Sequence, residues 1–272
     1  MNASTDKILD WLRRQDGWVS GEALCHGLGV SRTAIWKQIG RLRASGYDIR
    51  TKRHLGYRFV SGPGVPLEAE VRPLLQIAVI GRTFHFAGEV DSTNLWALRQ
   101  GLEGEAEGAV FVAESQTGGR GRHGAAWFSP PGRNLHVSLL LRPDCRPAVA
   151  GELAMLGAQA LRLAIGEERP DLALTAVAPG DLLCDGRKLA GFLCEMLCEP
   201  DGVELVVLGM GLLVNVRKEE LPAAWRRRMT SLREVLGRDV DRPRLLAAFF
   251  SHFETLYRAW PRSNSLSPAE TP

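Results

Sequence analysis

The chain has 272 residues, which corresponds to about two domains at roughly 150 residues per domain. Hydrophobic residues make up 45% and charged residues 24% of the chain, a balance that excludes a wholly disordered protein. The sequence has no apolar run of about eighteen residues and no N-terminal signal pattern, so we expect a cytoplasmic protein that does not cross a membrane. The 5 cysteines form no CxxC pair, which is typical of reduced thiols.

Charge is distributed unevenly along the chain. Residues 1–62 contain 11 Lys and Arg and 5 Asp and Glu, a net charge of +6, whereas the remaining residues carry a net charge of −3. A basic segment attached to a mildly acidic one favours a polyanionic partner for the basic segment. By charge alone, a solvated basic surface is an equal alternative.

The pattern of the basic segment predicts a winged helix-turn-helix. Ser20 and Ser31 are placed to cap two short helices, and the second of these helices is predicted over 32–44. Strands are predicted over 48–52 and 56–60, which would form the wing. The candidate DNA-binding residues are Ser20, Ser31, Arg32, Thr33, Trp36, Lys37, Arg50, Lys52 and Arg53. Trp36 could contact base edges or sugar, or it could be a partly buried packing residue.

A turn-forming stretch separates the basic segment from the rest. It lacks apolar periodicity and is rich in Pro and Gly, which indicates a linker. We therefore predict a DNA-binding domain over 1–62, a linker over 63–66, a second domain over 67–260 and a disordered tail over 261–272.

The second domain contains a loop rich in Gly and Arg, ESQTGGRGRHGAAW at 114–127. Its glycines match G-x-G-x-x-G, but the segment after it contains Pro130 and Pro131 and cannot begin the helix that a dinucleotide site requires. We therefore reject a Rossmann site. Arg120 and Arg122 offer planar donors suited to carboxylate or phosphate oxygens. A nucleic-acid-binding or disordered loop is the alternative for this segment.

Two other segments favour a ligand pocket when they are combined with this loop. The DSTN sequence at 91–94 follows a predicted strand and precedes a helix, although alone it is a good N-cap cluster. A hairpin turn at 185–186 places Lys188 at the start of a strand, where an isolated lysine would usually be solvated. A long apolar helix is predicted over 148–167.

These motifs occur together and in order: DSTN at 91–94, ESQTGGRGRHGAAWFSP at 114–130, PGDLL and GRKLAGFLCE within 179–195, LGMGLLVNV at 208–216, and TSL at 230–232. With SGEALCHGLGVSRTAIWKQIGRLRASGY at 20–47, the chain resembles the bacterial bifunctional biotin protein ligase and biotin-operon repressor family. The resemblance extends from about residue 4 to about residue 258, and the GRGR loop with GRKLAG is its most specific part.

The resemblance implies an α+β fold, with an N-terminal winged helix-turn-helix and a catalytic domain like that of class II aminoacyl-tRNA synthetases, a mixed sheet flanked by helices. It also implies that biotin and ATP, with Mg²⁺, form biotinyl-5′-AMP. The biotin is then transferred to a lysine of the biotin carboxyl carrier protein of acetyl-CoA carboxylase. The same family represses biotin biosynthesis genes, binding operator DNA as a homodimer when the adenylate is bound.

Site residues follow by motif from the resemblance. Biotin contacts are expected from Ser92, Thr93, Asn94, Gln116, Arg120, Gly121, Arg122 and Lys188. Nucleotide contacts are expected from Arg122, Trp127, Asp181 and Asn215. Among these, Lys188, Arg120 and Arg122 would be catalytic because fixed cations stabilise two approaching anions, and Asp181 would be a Mg²⁺ ligand.

The sequence departs from the family pattern around the nucleotide. The family's Lys-Trp-Pro-Asn-Asp segment is VAPGD at 177–181, Leu213 replaces an Asn, and Ala125 replaces the last Arg of the loop. The chain beyond Trp260 is also expected to be too short for the family's small C-terminal β-barrel domain. We therefore consider a biotin-responsive repressor with weak or lost ligase activity as the alternative function. A lipoate ligase on the same fold is disfavoured by Gln116 and the GRGR loop.

Overall fold

The computed structural model describes residues 3–15, 17–75, 79–200 and 202–260, with side chains from residue 5 onward. The predicted disordered tail at 261–272 lies outside these residues. The chain divides into two compact units, Met1–Val65 and Pro66–Pro272, and each is described by itself.

The N-terminal unit consists of three helices and a hairpin. They are α1 (Ala3–Arg13), α2 (Gly21–Leu28), α3 (Arg32–Ala44), β1 (Asp48–Lys52) and β2 (Gly56–Ser61), and β1 and β2 are antiparallel. Ser20 and Ser31 cap α2 and α3, since their hydroxyls accept from Ala23 N at 3.0 Å and from Ala34 N at 3.2 Å. Apolar residues from the three helices and β1 form its core: Ile8, Leu12, Leu24, Ile35, Ile39, Leu42 and Ile49.

Backbone hydrogen bonds attach the hairpin to the segment before α2. Val19 N donates to Tyr57 O at 2.7 Å, and Tyr57 N donates to Val19 O at 2.8 Å. Gly56 has a φ of +99°, and a Cβ atom at this position would collide with the Val19 carbonyl. These contacts hold the wing beside the N-terminus of α2, so the winged arrangement depends on this glycine.

The C-terminal unit is built around a seven-stranded sheet with the order β3-β4-β5-β9-β8-β7-β6. The strands are β3 (Phe84–Val90), β4 (Val110–Gln116), β5 (Leu135–Leu141), β6 (Leu174–Val177), β7 (Asp181–Cys184), β8 (Arg187–Glu199) and β9 (Gly202–Leu212). Among these seven strands, β3 and β4 pair in parallel and the other neighbours are antiparallel. The helices are α4 (Glu68–Val71), α5 (Thr93–Leu102), α6 (Pro147–Ala150), α7 (Leu153–Glu168), α8 (Leu232–Leu236) and α9 (Arg242–Ala259). This mixed sheet with flanking helices confirms the predicted α+β fold.

Helices cover both faces of the sheet. Helices α7 and α9 pack together over one face, where Phe249, Phe250 and Phe253 are fully buried. Helix α5 packs on β4, β5 and β9 at the other face, where Ala97 and Phe111 are buried. The single helix predicted over 148–167 is two helices, because the chain turns at residues 151–152 between α6 and α7. The stretch Pro147–Glu168 is long and apolar enough to cross a membrane, but half of it is buried inside the unit, as in a core helix.

Two carboxylates, one buried and one partly buried, fix α9 to the sheet and to the segment before it. Arg242, at the start of α9, lies 3.0 Å from Glu114 on β4 and donates to Asn134 O at 3.0 Å. Nearer the end of α9, Glu254 accepts from Val79 N at 3.0 Å and from Ile80 N at 2.9 Å. These bonds satisfy buried polar groups and keep the edge of the sheet in one position.

The aromatic core under α9 sets the stability of the C-terminal unit. We expect Phe250→Ala to lower its free energy of unfolding by about 3–5 kcal/mol, because a fully buried ring is replaced by a cavity. Denaturant unfolding followed by tryptophan fluorescence measures this change. Leu102→Ala is the control, since this side chain on α5 is 60% exposed and its loss should cost about 0.5 kcal/mol or less. Equal effects of the two substitutions would contradict this account.

Candidate functional site

A cleft lies where the N-terminus of α5, the loop rich in Gly and Arg at 114–127 (the Gly/Arg loop) and strands β7, β8 and β9 meet. All but one of the residues predicted to contact biotin or nucleotide line it: Ser92, Thr93, Asn94, Gln116, Arg120, Gly121, Arg122, Trp127, Asp181 and Lys188. They are separated by up to about a hundred positions in the sequence, and the sheet brings them together. The structure thus forms one concave site from motifs that were individually weak.

The N-terminus of α5 provides the polar floor of the cleft. Ser92 caps the helix, and the backbone N–H of Thr93 donates to Gln116 Oε1 at 2.9 Å. Gln116 Nε2 donates in turn to Ser129 Oγ at 3.3 Å, which links the floor to the segment after the loop. The N-cap interpretation and the pocket interpretation of DSTN therefore both hold, because Ser92 caps the helix and lines the cleft.

Glycines on β9 allow other groups to lie directly on the sheet. A Cβ atom at Gly209 would collide with the side-chain amide of Asn94, and one at Gly211 would collide with the indole of Trp127. No local pattern assigns this role to the two glycines, because the close approach that requires them is visible only in the folded chain. Ser138 and Glu195 hydrogen-bond Asn94, and neither was predicted from the sequence. The signal available for Ser138 was that it is a lone serine in an apolar strand.

The Gly/Arg loop forms a tight hairpin that closes on itself. Gly121 N donates to Ala125 O at 2.7 Å, and Trp127 N donates to Gly119 O at 2.9 Å. His123 at the tip has a φ of +56°, in the left-handed region. This geometry directs Arg122 into the cleft and places Trp127 against β9.

One carboxylate lies between two cations in the cleft. Asp181 Oδ1 is 2.9 Å from Lys188 Nζ, and Asp181 Oδ2 accepts from Arg122 Nη2 at 2.9 Å. Lys188 Nζ also lies 5.5 Å from the centroid of the Trp127 ring, a cation–π contact. The three charged side chains are between 19% and 31% exposed, so their charges are only partly screened by water. Together these three side chains carry a net charge of +1, which favours an anionic ligand. The oxygens of such a ligand could take the place of the Asp181 carboxylate beside Lys188 and Arg122.

The surroundings of the Asp181 carboxylate do not fit its predicted role as a Mg²⁺ ligand. Both of its oxygens face cations, which a bound metal ion would have to displace. Within the described residues there is no group of three or more His, Cys, Asp and Glu side chains that could hold a metal ion. Mg²⁺ is commonly carried by substrate phosphates, with few protein ligands.

Asn215 is the predicted nucleotide contact that the structure does not bring to the cleft. Its Nδ2 donates to Val240 O at 3.0 Å, and its Oδ1 accepts from Val240 N at 2.8 Å. The amide thereby joins two loops, and Asn215 is not among the residues that line the cleft. The side chain holds the segment before α9 in place.

Two departures from the family pattern have defined surroundings. A side chain at Gly180 would point at α7, where its Cβ atom would lie 2.8 Å from Ala154 Cβ. Position 180 therefore faces the core of the unit. The absence of the Asn side chain that the family has at this position leaves no gap in the cleft. Leu213 is fully buried in an apolar cluster with Met229, Trp127 and Trp225. The surface beside the charged cleft residues is therefore apolar and aromatic.

A second groove lies within the N-terminal unit, between α3 and the wing. Ser20, Arg32, Trp36 and Lys52 line this groove. All nine predicted DNA-binding residues are exposed. Trp36 is 71% exposed, which excludes the packing interpretation within this unit. Arg43, also on α3, donates to Ile49 O at 2.8 Å and to Thr51 Oγ1 at 2.6 Å, which joins the end of this helix to β1.

The Asp181 carboxylate should hold the loop closed in the absence of ligand. We expect Asp181→Asn to accelerate tryptic cleavage at Arg120 and Arg122 several-fold, because a charged contact with Arg122 is lost. Limited proteolysis with mass spectrometry measures the rate. Asp185→Asn, in the nearby hairpin turn, removes the same charge and should leave the rate unchanged. An unchanged rate in Asp181→Asn would show that the carboxylate does not restrain the loop.

Comparisons with known proteins agree with both units. An HTH domain family matches residues 5–58, and the biotin/lipoate A/B protein ligase family matches residues 88–215. The bifunctional ligase/repressor BirA of Bacillus subtilis (strain 168) is 35% identical over 260 residues, which cover 95% of this chain and 80% of that protein. The protein of the same name from Bacillus spizizenii is 34% identical with the same coverage.

Solved structures agree as well. Biotin protein ligase from Aquifex aeolicus, in complex with biotin and ATP, superposes with a TM-score of 0.57 at 27% identity, covering 67% of this chain and 73% of that chain. The order of the motifs, the mixed sheet and the similarity along the chain lead to the same assignment. This chain belongs to the biotin protein ligase family, within the branch of bifunctional ligase/repressors that carry an N-terminal helix-turn-helix.

Proposed function

We propose that this chain is an ATP-dependent biotin protein ligase that also represses transcription by binding DNA. The observation that carries the ligase function is the single cleft in which Arg122 and Lys188 lie beside the polar floor of α5. The substrates are biotin and ATP, and the acceptor is a lysine of a biotin carboxyl carrier protein. The groove between α3 and the wing supports operator DNA as the second partner.

In the first step, a biotin carboxylate oxygen attacks the α-phosphorus of ATP. The bond to the β-phosphate breaks, pyrophosphate leaves, and biotinyl-5′-AMP forms. Lys188 and Arg122 are two cations in the cleft that can bind both anions as they approach, and Arg120, on the same loop as Arg122, also lines the cleft. Mg²⁺ carried by the ATP phosphates would neutralise part of their charge.

In the second step, the ε-amine of the acceptor lysine attacks the carbonyl carbon of the anhydride. An amide forms, AMP leaves, and the amine loses a proton. The hairpin loop and Trp127 cover the cleft, and they would keep water away from the anhydride between the two steps. Ser92, Thr93, Asn94 and Gln116 would hold the biotin ring.

The repressor function depends on the N-terminal unit. The basic side chains on α3 and the wing would bind phosphates, and Trp36 and Thr33 would lie close to base edges. We further propose that the chain forms a homodimer when the adenylate is bound, because the ligand shifts the population toward the dimer. We also propose that the protein is located in the cytoplasm. We take residues 1–62 as the DNA-binding domain, 63–66 as the linker and 67–260 as the catalytic domain.

A second candidate function is a biotin-responsive repressor with weak or lost ligase activity. The observation that favours it is the apolar cluster around Leu213, which offers a nucleotide few polar contacts. The Asp181 carboxylate, which binds both cations, would also compete with ATP phosphates. We favour the active ligase because the charged groups that the reaction needs are present and lie within the cleft.

A ligase assay separates the two functions. The full chain is incubated with biotin, Mg²⁺-ATP and a carrier domain, and pyrophosphate release and biotin transfer are followed. We expect both products, and we expect Lys188→Ala to reduce the rate by about a hundredfold or more, because a fixed cation at the reacting oxygens is lost. Measurable biotin binding without either product over hours would contradict the ligase function and favour the repressor alone.

A gel-shift assay with DNA from upstream of biotin genes tests the repressor function. We expect Arg32→Ala and Lys37→Ala to weaken binding, because both are exposed on α3. If Lys37 contacts a phosphate, its loss should also reduce the salt dependence of the dissociation constant. Lys7→Ala, an equal change of charge on α1, is the control. Unchanged affinity in both α3 variants would exclude this face as the interface.

A further inference from the structure

A buried serine lies beneath two of the residues on the floor of the cleft. Ser138 is in the middle of β5 and has no exposed surface. Its Oγ lies 2.8 Å from Thr93 Oγ1 and 2.6 Å from Asn94 Oδ1. Ser138 does not line the cleft, so it can affect a ligand only through these two neighbours.

A carboxylate sets the orientation of the Asn94 amide. Asn94 Nδ2 donates to Glu195 Oε2 on β8 at 2.7 Å. An ionised carboxylate can only accept, so the NH₂ group of Asn94 faces Glu195 and its carbonyl oxygen faces Ser138. The backbone of Gly209 supports the same amide from below, where a Cβ atom would collide with it. Asn94 is therefore held in one position and one orientation.

This orientation determines what the Thr93 hydroxyl can do. The Ser138 hydroxyl has one proton, and Asn94 Oδ1 can only accept it. Ser138 therefore presents a lone pair to Thr93, and the other neighbour of Thr93 Oγ1 is Gln116 Oε1 at 3.2 Å, which is also an acceptor. The Thr93 proton must go to one of these two oxygens. The remaining lone pairs of Thr93 Oγ1 are then free to accept from a ligand.

We propose that Ser138 and Glu195 are positioning residues, which hold Asn94 and Thr93 so that the Thr93 hydroxyl accepts an N–H of the ureido ring of biotin. This inference rests on the proposed function, because it takes Thr93 and Asn94 as biotin contacts. Its new content is the pair of residues behind the cleft and the direction of the hydrogen bonds. A cyclic urea offers N–H donors to a pocket that presents fixed acceptors.

The dissociation constant of biotin for the full chain, measured by titration calorimetry without ATP, tests the proposal. We expect Ser138→Ala to raise the dissociation constant of biotin about tenfold. Asn94 Oδ1 then loses its donor and Thr93 loses an acceptor, so neither side chain is held in place for the ligand. We expect Glu195→Gln to raise it about threefold, because a glutamine can donate and allows the Asn94 amide to flip. The dissociation constant of ATP should change less than twofold in both variants.

A matched control is available on the neighbouring strand. Ser115 on β4 is also buried, and its Oγ donates to Gly88 O at 3.3 Å, away from Thr93 and Asn94. Ser115→Ala should leave the biotin dissociation constant unchanged. In a Thr93→Val background, the effect of Ser138→Ala should shrink, because part of the coupling acts through the Thr93 hydroxyl.

The outcomes are distinct. Unchanged biotin affinity in Ser138→Ala and Glu195→Gln, with normal binding by the wild type, would overturn this inference and leave the ligase function standing. Equal losses for biotin and ATP together with a lower Tm would show a merely structural role and would also overturn it. Absence of biotin binding in the wild type would overturn both. If Ser138→Ala does not fold, the exposed Glu195→Gln decides the question.

Discussion

The charge balance around Asp181 is the constraint on which the arrangement of the cleft depends. Lys188 and Arg122 are both positive and less than a third exposed, and each lies 2.9 Å from an oxygen of this carboxylate. Two such cations repel each other, and an anion that lies between them offsets this repulsion. In the structure that anion is Asp181, and in the reaction it would be the carboxylate and phosphate oxygens of the substrates. The same contact joins the Gly/Arg loop to β7, so the state of the loop and the occupancy of the cleft are linked.

The rest of the C-terminal unit supports this geometry with dry, well-packed surroundings. The aromatic side chains of α9 and the apolar residues of α7 fix one face of the sheet, while α5 lies on the other face with its N-terminus at the cleft. Gly209 and Gly211 let the Asn94 amide and the Trp127 indole approach the backbone of β9 closely. A rigid scaffold of this kind keeps polar groups at fixed positions, which lowers the cost of ordering them when a ligand binds.

Much of the fold could be predicted from local patterns. The helix-turn-helix followed from the capping serines and the helix predicted over 32–44, and the wing strands were predicted on either side of a turn. The helix predicted over 148–167 was wrong in one respect: it is divided at residues 151–152, where no strong breaker besides a glycine marks the turn. The structure does not bring Asn215 to the cleft, because its amide binds the Val240 backbone, which is 25 positions away and leaves no local signal.

The sequence by itself determined the helix-turn-helix and wing, the two-part organisation and the residue types of the cleft, because capping, periodicity and turn formation act over a few residues. It also determined the family, through motifs in a fixed order. Only the tertiary structure decided which acceptor each polar group would find. The pairing of Asp181 with two cations, the exposure of Trp36, and the support of Asn94 by Ser138 and Glu195 all depend on contacts between distant strands and helices. Such contacts are set by how the sheet brings its strands together, which no local pattern specifies.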